Sequence, residues 1–209
     1  GPGRVFTMNE CAKAALEVLD AADVRTPVLL IGDSWGGFVA PRIALLAPNR
    51  VSGMVLFNTS AEAGSFLERT RAKLLTKLLG IRAFDPIVMR MIAGLMLAPE
   101  TQRRQPELQA DLIEHLRGWN RRGVIATVRS VLVDRDSLLD ALPKVRTPAL
   151  IVSGTSDKLF PPIHSRRIAE KLSDARHVDV PGAAHLVPLE VPQAANALIF
   201  EMVGQLPQT

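Results

Sequence analysis

The sequence predicts an α/β protein with a mostly parallel sheet and a helical insertion. Three observations predict it. Continuous apolar runs, Val28-Leu29-Leu30-Ile31 and Ala149-Leu150-Ile151-Val152, and the largely apolar stretch Val51 to Phe57 have Pro or Gly close by, as expected of strands covered on both faces. Stretches of helical periodicity alternate with these runs, which implies right-handed crossover units. Between about Thr59 and Lys144 no strand-like run occurs, and Leu, Ile and Met recur at helical spacing among many charges.

Each element has its own signal. Thr7 and Glu10 stand at capping-box spacing, and Cys11, Ala15, Leu16, Val18, Leu19 and Ala22 then mark a helix that ends by Arg25-Thr26-Pro27. The run Val28 to Ile31 is the first strand. It leads into Gly32-Asp33-Ser34-Trp35-Gly36-Gly37 and a helix from Phe38 to Leu46 that stops near Pro48, before the strand Val51 to Phe57. Strand character resumes at Ala149 to Val152 after Thr147-Pro148. A helix Ile163 to Leu172, a short strand Arg176 to Val180, the loop Pro181-Gly182-Ala183-Ala184-His185 and a helix from about Pro192 to Val203 complete the chain. The predicted organisation is a first core part over 1–59, a helical cap over 60–144 and a second core part over 145–209. No internal repeat or low-complexity tract is present.

With 209 residues, 47% of them hydrophobic, the chain can bury one substantial core with an insertion packed on it. Residues 61–146 hold 15 Arg and Lys against 10 Asp and Glu, so the insertion carries the basic excess of a chain whose net charge is +4. These bases are scattered singly or in pairs, which argues for a solvated face and against a nucleic-acid partner. Cys11 is the single cysteine, so no internal disulfide can form. No apolar stretch of about 18 residues is available to span a membrane, and the start Gly1-Pro2-Gly3-Arg4 has neither region of a signal peptide. The expectation is a soluble, cytoplasmic protein that meets small molecules and neither membrane nor nucleic acid.

Gly32-Asp33-Ser34-Trp35-Gly36 fits the pattern Gly-x-Ser-x-Gly, and its context matters more than the pentapeptide. Between a buried strand and a helix, such a turn strains the serine backbone and demands small neighbours; Gly32, Gly36 and Gly37 meet that demand. The same turn aims the Trp35 amide and the positive end of the helix at a reacting oxygen. A serine hydroxyl needs a base, and the base needs an orienting acid. Asp157 follows the strand Ala149 to Val152 and His185 follows the strand ending at Val180, so both are expected at the carboxyl edge of the sheet beside Ser34.

These residues closely resemble the α/β-hydrolase family. The resemblance rests on Gly32 to Gly37, Ala47-Pro48-Asn49-Arg50-Val51, Gly154-Thr155-Ser156-Asp157 with Pro161, and Gly182-Ala183-Ala184-His185 with Glu190 and Pro192. Within the family the chain is most similar to the esterase, enol-lactonase and cofactor-free haloperoxidase group. The resemblance implies the α/β-hydrolase fold with a cap between the sixth and seventh strands, and a serine hydrolase using Ser34, Asp157 and His185 with no metal or organic cofactor. It also implies eight core strands, of which Val28 to Ile31 looks like the fifth. The segment carrying the first four strands, and with them the loop of the second oxyanion amide, is expected to be lacking at the amino end. An apolar sheet edge at Val28 to Ile31 would follow, with either severely impaired activity or the lacking segment supplied elsewhere.

Each residue has a plainer alternative. Ser34 could sit in an anion-binding helix-entry turn and Asp157 could be a turn aspartate; having both partners in sequence order favours the triad. Asp134 and Asp136 are rival acids, expected to cap the segment at Leu138-Leu139, and His115, His164 and His177 are read as ordinary histidines. Trp35, Phe160, Leu186, Met89 and Met96 are the candidate pocket residues, although an apolar stripe such as Phe84, Met89, Met91, Leu95 and Met96 also serves as core. Rival functions are lactone opening, carbon–carbon bond hydrolysis or perhydrolysis on the same triad, a non-catalytic ligand-binding module on this fold, or an inactive fragment.

Overall fold

The apolar runs pair as strands in a computed structural model that describes residues 3–206. Gly1 and Pro2, half of the four-residue start considered above, lie outside them. Among the described residues four strands form one sheet: β1 (Val28–Asp33), β2 (Val51–Phe57), β3 (Ala149–Gly154) and β4 (Ala175–Val180). Their spatial order is β1-β2-β3-β4, and every pair is parallel.

Parallel pairing requires long crossovers, and these place helices on both faces of the sheet. In β2, alternate side chains point to opposite faces. Met54 and Leu56 enter one apolar cluster, with Ala40, Ile43, Ile151 and Ile168. Val55 and Phe57 enter another, with Leu150, Val152, Ala195 and Met202. Two buried faces therefore explain why this strand is apolar on both sides from Met54 to Phe57. β1 pairs only with β2 among the described residues, and Ile31 on it is 53% exposed.

The first face is covered by α1 (Met8–Ala21), α2 (Trp35–Leu46) and α8 (Pro162–Lys171), and the second by α9 (Val187–Glu190) and α10 (Pro192–Gln205). Thr7 and Glu10 form the expected capping box on α1, with Thr7 Oγ1 accepting from the Glu10 amide at 3.1 Å and Glu10 Oε2 accepting from the Thr7 amide at 2.7 Å. α2 starts at Trp35, earlier than its apolar periodicity suggests, because the serine turn itself opens the helix.

The insertion between β2 and β3 is helical. It holds α3 (Phe66–Leu79), α4 (Asp85–Met96), α5 (Pro99–Arg104), α6 (Pro106–Arg117) and α7 (Arg121–Val128), then a π-helical turn over Arg129–Val133. Leu79, Val88, Met89 and Leu116 make a separate apolar cluster within it. Asp134 and Asp136 do not cap a helix at Leu138-Leu139 as expected, although Asp134 stands at the C-cap of the π-helical turn. Asp136 Oδ1 accepts from the buried Arg42 Nη2 at 2.8 Å, and Asp134 lies 3.8 Å from Arg129, because the chain after the π turn has no regular structure over 135–138 and no helix starts there for them to cap. No helix among the described residues is long and apolar enough to cross a membrane.

Candidate active site

The turn between β1 and α2 is held in a shape that ordinary residues avoid. Ser34 has φ 50° and ψ −108°, a left-handed backbone that costs an L residue about 1–3 kcal/mol. Hydrogen bonds from neighbouring elements hold it there: the Ser34 amide donates to the Phe57 carbonyl at 2.9 Å, and Thr59 Oγ1 donates to the Ser34 carbonyl at 2.9 Å. A Cβ on Gly32 would stand 2.5 Å from the Gly36 carbonyl carbon, and one on Gly37 would stand 2.5 Å from Thr59 Cβ and Oγ1. Both positions therefore require glycine. Gly36 departs from expectation, since a Cβ there would meet nothing within 4 Å. Its backbone is the surface that Gly32 must avoid.

Three side chains from distant parts of the chain meet at the carboxyl edge of the sheet. Ser34 Oγ lies 2.9 Å from His185 Nε2, and His185 Nδ1 lies 2.9 Å from Asp157 Oδ2. With Nδ1–H donated to the carboxylate, Nε2 is left as acceptor for the serine hydroxyl. Asp157 Oδ1 accepts from the amides of Leu159 at 2.8 Å and Phe160 at 3.0 Å, and Oδ2 also accepts from Asn58 Nδ2 at 3.0 Å. Asp157 and His185 are buried, which leaves the serine as the reachable member.

Asn58 carries no signal in a single sequence. It follows the last residue of β2, has φ 48°, is fully buried, and donates through Nδ2 both to Asp157 and to the Ala184 carbonyl at 2.7 Å. Asparagine tolerates the left-handed region better than most residues. It thus joins the acid loop to the histidine loop. Glu190, quoted above only as a landmark, is also buried and accepts from the Ala184 amide at 2.8 Å.

Asp33, beside the serine, is electrostatically unusual. Its Oδ1 is buried without a hydrogen-bond partner. Burial pushes its carboxyl up to about 7, with His185 opposing and Asp157 and Glu190 adding to the rise.

The candidate pocket residues divide. Phe160 is buried, with its ring 5.7 Å from the His185 ring, and the Arg135 guanidinium lies 5.4 Å from the centroid of the same ring. Burial pushes Arg135 down to about 10. Trp35 is partly exposed and stacks on Phe6 at 5.1 Å, while its amide is the first of α2 and has no partner within the helix. Leu186 is buried next to His185, and the Met96 carbonyl accepts from the His185 amide at 3.1 Å. Met89 packs in the insertion's interior with Leu79, Val88 and Leu116. The other histidines have separate surroundings: His164 pairs with Glu62, His177 lies 2.8 Å from Ser153 Oγ, and His115 packs edge-on against Trp119.

The profile of a known family, described as the alpha/beta hydrolase fold, matches residues 2–192. This chain belongs to that family. Among its relatives, a protein of Azorhizobium caulinodans that carries the name carbamate hydrolase RutD is 27% identical over 212 residues, covering 97% of this chain and 75% of its own. A hydrolase from Pseudomonas aeruginosa is 29% identical, with a TM-score of 0.86 over 98% of this chain and 74% of its own. A thermophilic esterase from Thermogutta terrifontis superposes with a TM-score of 0.88 at 24% identity, covering 98% and 74%, a likeness of fold. The chain is thus an alpha/beta hydrolase family hydrolase.

Proposed function

We propose that this hydrolase cleaves carboxylic esters or related acyl compounds by covalent catalysis, with Ser34 as nucleophile, His185 as base and Asp157 as orienting acid. The observation that carries this is the pair of 2.9 Å contacts linking hydroxyl, imidazole and carboxylate in series. Ser34 attacks the substrate carbonyl while His185 Nε2 takes its proton, and Asp157 stabilises the imidazolium that forms. The Trp35 amide, at the positive end of a helix of 12 residues, donates to the developing oxyanion. His185 returns the proton to the leaving group, an acyl-enzyme remains, and water activated by His185 releases the acid.

The substrate's acyl side lies against Trp35, Phe160, Leu186 and Met96, with Met89 left to the cap's interior. Their apolar character favours a small or medium hydrophobic group. The parts 1–59, 60–144 and 145–209 act as core, cap and core, with substrate entering between cap and sheet. A carbamate, like an ester, presents a carbonyl carbon to the serine, so the name carried by the Azorhizobium relative fits the same chemistry.

The test is labelling with a fluorophosphonate together with turnover of nitrophenyl esters of graded acyl length. Wild-type protein should label at Ser34 and release nitrophenol, and Ser34→Ala should do neither. A folded wild-type protein that resists the probe would overturn the assignment. Lactones and peroxide in the same panel separate acyl-ester hydrolysis from lactone opening and perhydrolysis.

A further inference from the structure

Glu190 is 3% exposed, yet its carboxylate faces four neutral donors. Oε1 accepts from the amides of Ala184 at 2.8 Å and Leu186 at 3.3 Å, the two residues that flank His185. Oε2 accepts from the Ala98 amide and from Thr101 Oγ1, each at 2.7 Å, and both belong to the insertion. The intervening His185 amide donates to Met96 in the same part of the insertion. Three consecutive amides of the histidine loop are therefore bound either to Glu190 or directly to the cap.

A carboxylate buried among neutral donors is an expensive way to fill volume, because removing the charge from water costs several kcal/mol. What a carboxylate does here, and an apolar side chain or a glutamine cannot, is accept on both oxygens. Four donors converge on it from two separate parts of the chain, and only a group with two acceptor atoms and no hydrogen satisfies all of them. A glutamine would turn its own NH2 toward one pair of donors and push that side away.

We infer that Glu190 is a positioning residue that clamps the cap segment Met96–Thr101 to the loop bearing His185, so that cap placement sets the imidazole's approach to Ser34. The clamp rests on the serine-hydrolase assignment above. It makes the cap part of the proton-transfer geometry as well as a wall of the pocket. A displacement of about 1 Å at a reacting group is enough to cost on the order of 10²-fold in rate.

The experiment measures saturable fluorophosphonate labelling, which separates the maximal labelling rate from the half-saturating concentration, alongside thermal melting. Glu190→Gln should lower the maximal rate about 10- to 100-fold with the half-saturating concentration changed less than about twofold. Thr101→Val, which removes only a cap-side donor, should lower the rate about 3- to 10-fold, and Thr101→Ser should restore it. If Glu190→Gln does not fold, the Thr101 pair decides. Wild-type labelling with unchanged maximal rates in the folded variants, or a loss confined to half-saturation, overturns the clamp alone. Failure of the wild-type protein to label overturns the assignment of Ser34 and the clamp with it.

Discussion

Replacing Asp33 by Asn should change how stability depends on pH. The Asp33 carboxyl is held at about 7 against an ordinary 3.8, with burial as the main cause, and its Oδ1 has no partner. The native state therefore binds this proton more tightly than the unfolded chain does. Between about pH 4 and pH 7 the unfolded chain gives up the proton first, so the contribution of Asp33 to wild-type stability falls as pH rises through that window. A gap of about 3 pH units at 1.36 kcal/mol each corresponds to about 4 kcal/mol lost by pH 8, as an upper limit. Asparagine does not titrate, so the variant lacks this loss. Urea denaturation of both proteins at pH 4.5, 6 and 8.5 should show Asp33→Asn gaining on the wild type as pH rises, up to that limit. Groups common to both proteins largely cancel in the difference. Parallel stability curves over this range would refute the account of a largely desolvated carboxyl with an unpartnered Oδ1.

Asp157→Asn, which leaves the imidazole without its anionic partner, should lower kcat by about 10⁴-fold in esterase kinetics, and because its NH2 would face a donor of the buried site it should also cost about 1–3 kcal/mol in denaturation. Asn58→Ala leaves Asp157 Oδ2 and the Ala184 carbonyl each short of a donor, and should cost about 1–3 kcal/mol in denaturation and lower kcat more than it changes KM. Gly37→Ala drives a methyl to 2.5 Å from Thr59 and should destabilise by about 1–3 kcal/mol or more, while displacing the hydroxyl that holds the Ser34 carbonyl. Gly36→Ala meets open space and should fold with stability within about 1 kcal/mol of wild type or above it, despite its place in the same motif.

Much of the fold was legible because strands buried on both faces carry apolar residues at consecutive positions, as in Met54 to Phe57 and Ala149 to Val152. β2 runs over Val51–Phe57 as predicted, and β3 and β4 differ from their predicted spans only at their ends. The helix over Met8–Ala21 was legible from its capping box, which is a local hydrogen-bond pattern written in two residue types. Other features were not legible. Asn58 follows a strand without any motif, and its importance comes from a carboxylate 99 residues later in the chain. Asp136 looked like a capping residue because of its neighbours, whereas its partner is Arg42, 94 residues away. Gly36 belongs to the motif by spacing, but the crowding that the motif implies falls on Gly32 and Gly37.

The sequence by itself determined the alternation of strands and helices, the strained serine turn, and the order in which serine, aspartate and histidine occur. These depend on period, propensity and turn chemistry, which act over a few residues. Only the tertiary structure decided which groups converge: the 2.9 Å contacts to His185, the carboxylate of Glu190 shared between the insertion and the histidine loop, and the buried, unpartnered Oδ1 of Asp33. Convergence depends on packing between residues far apart along the chain. Hydrogen bonding and desolvation change steeply over an ångström, a scale at which residue order alone says little.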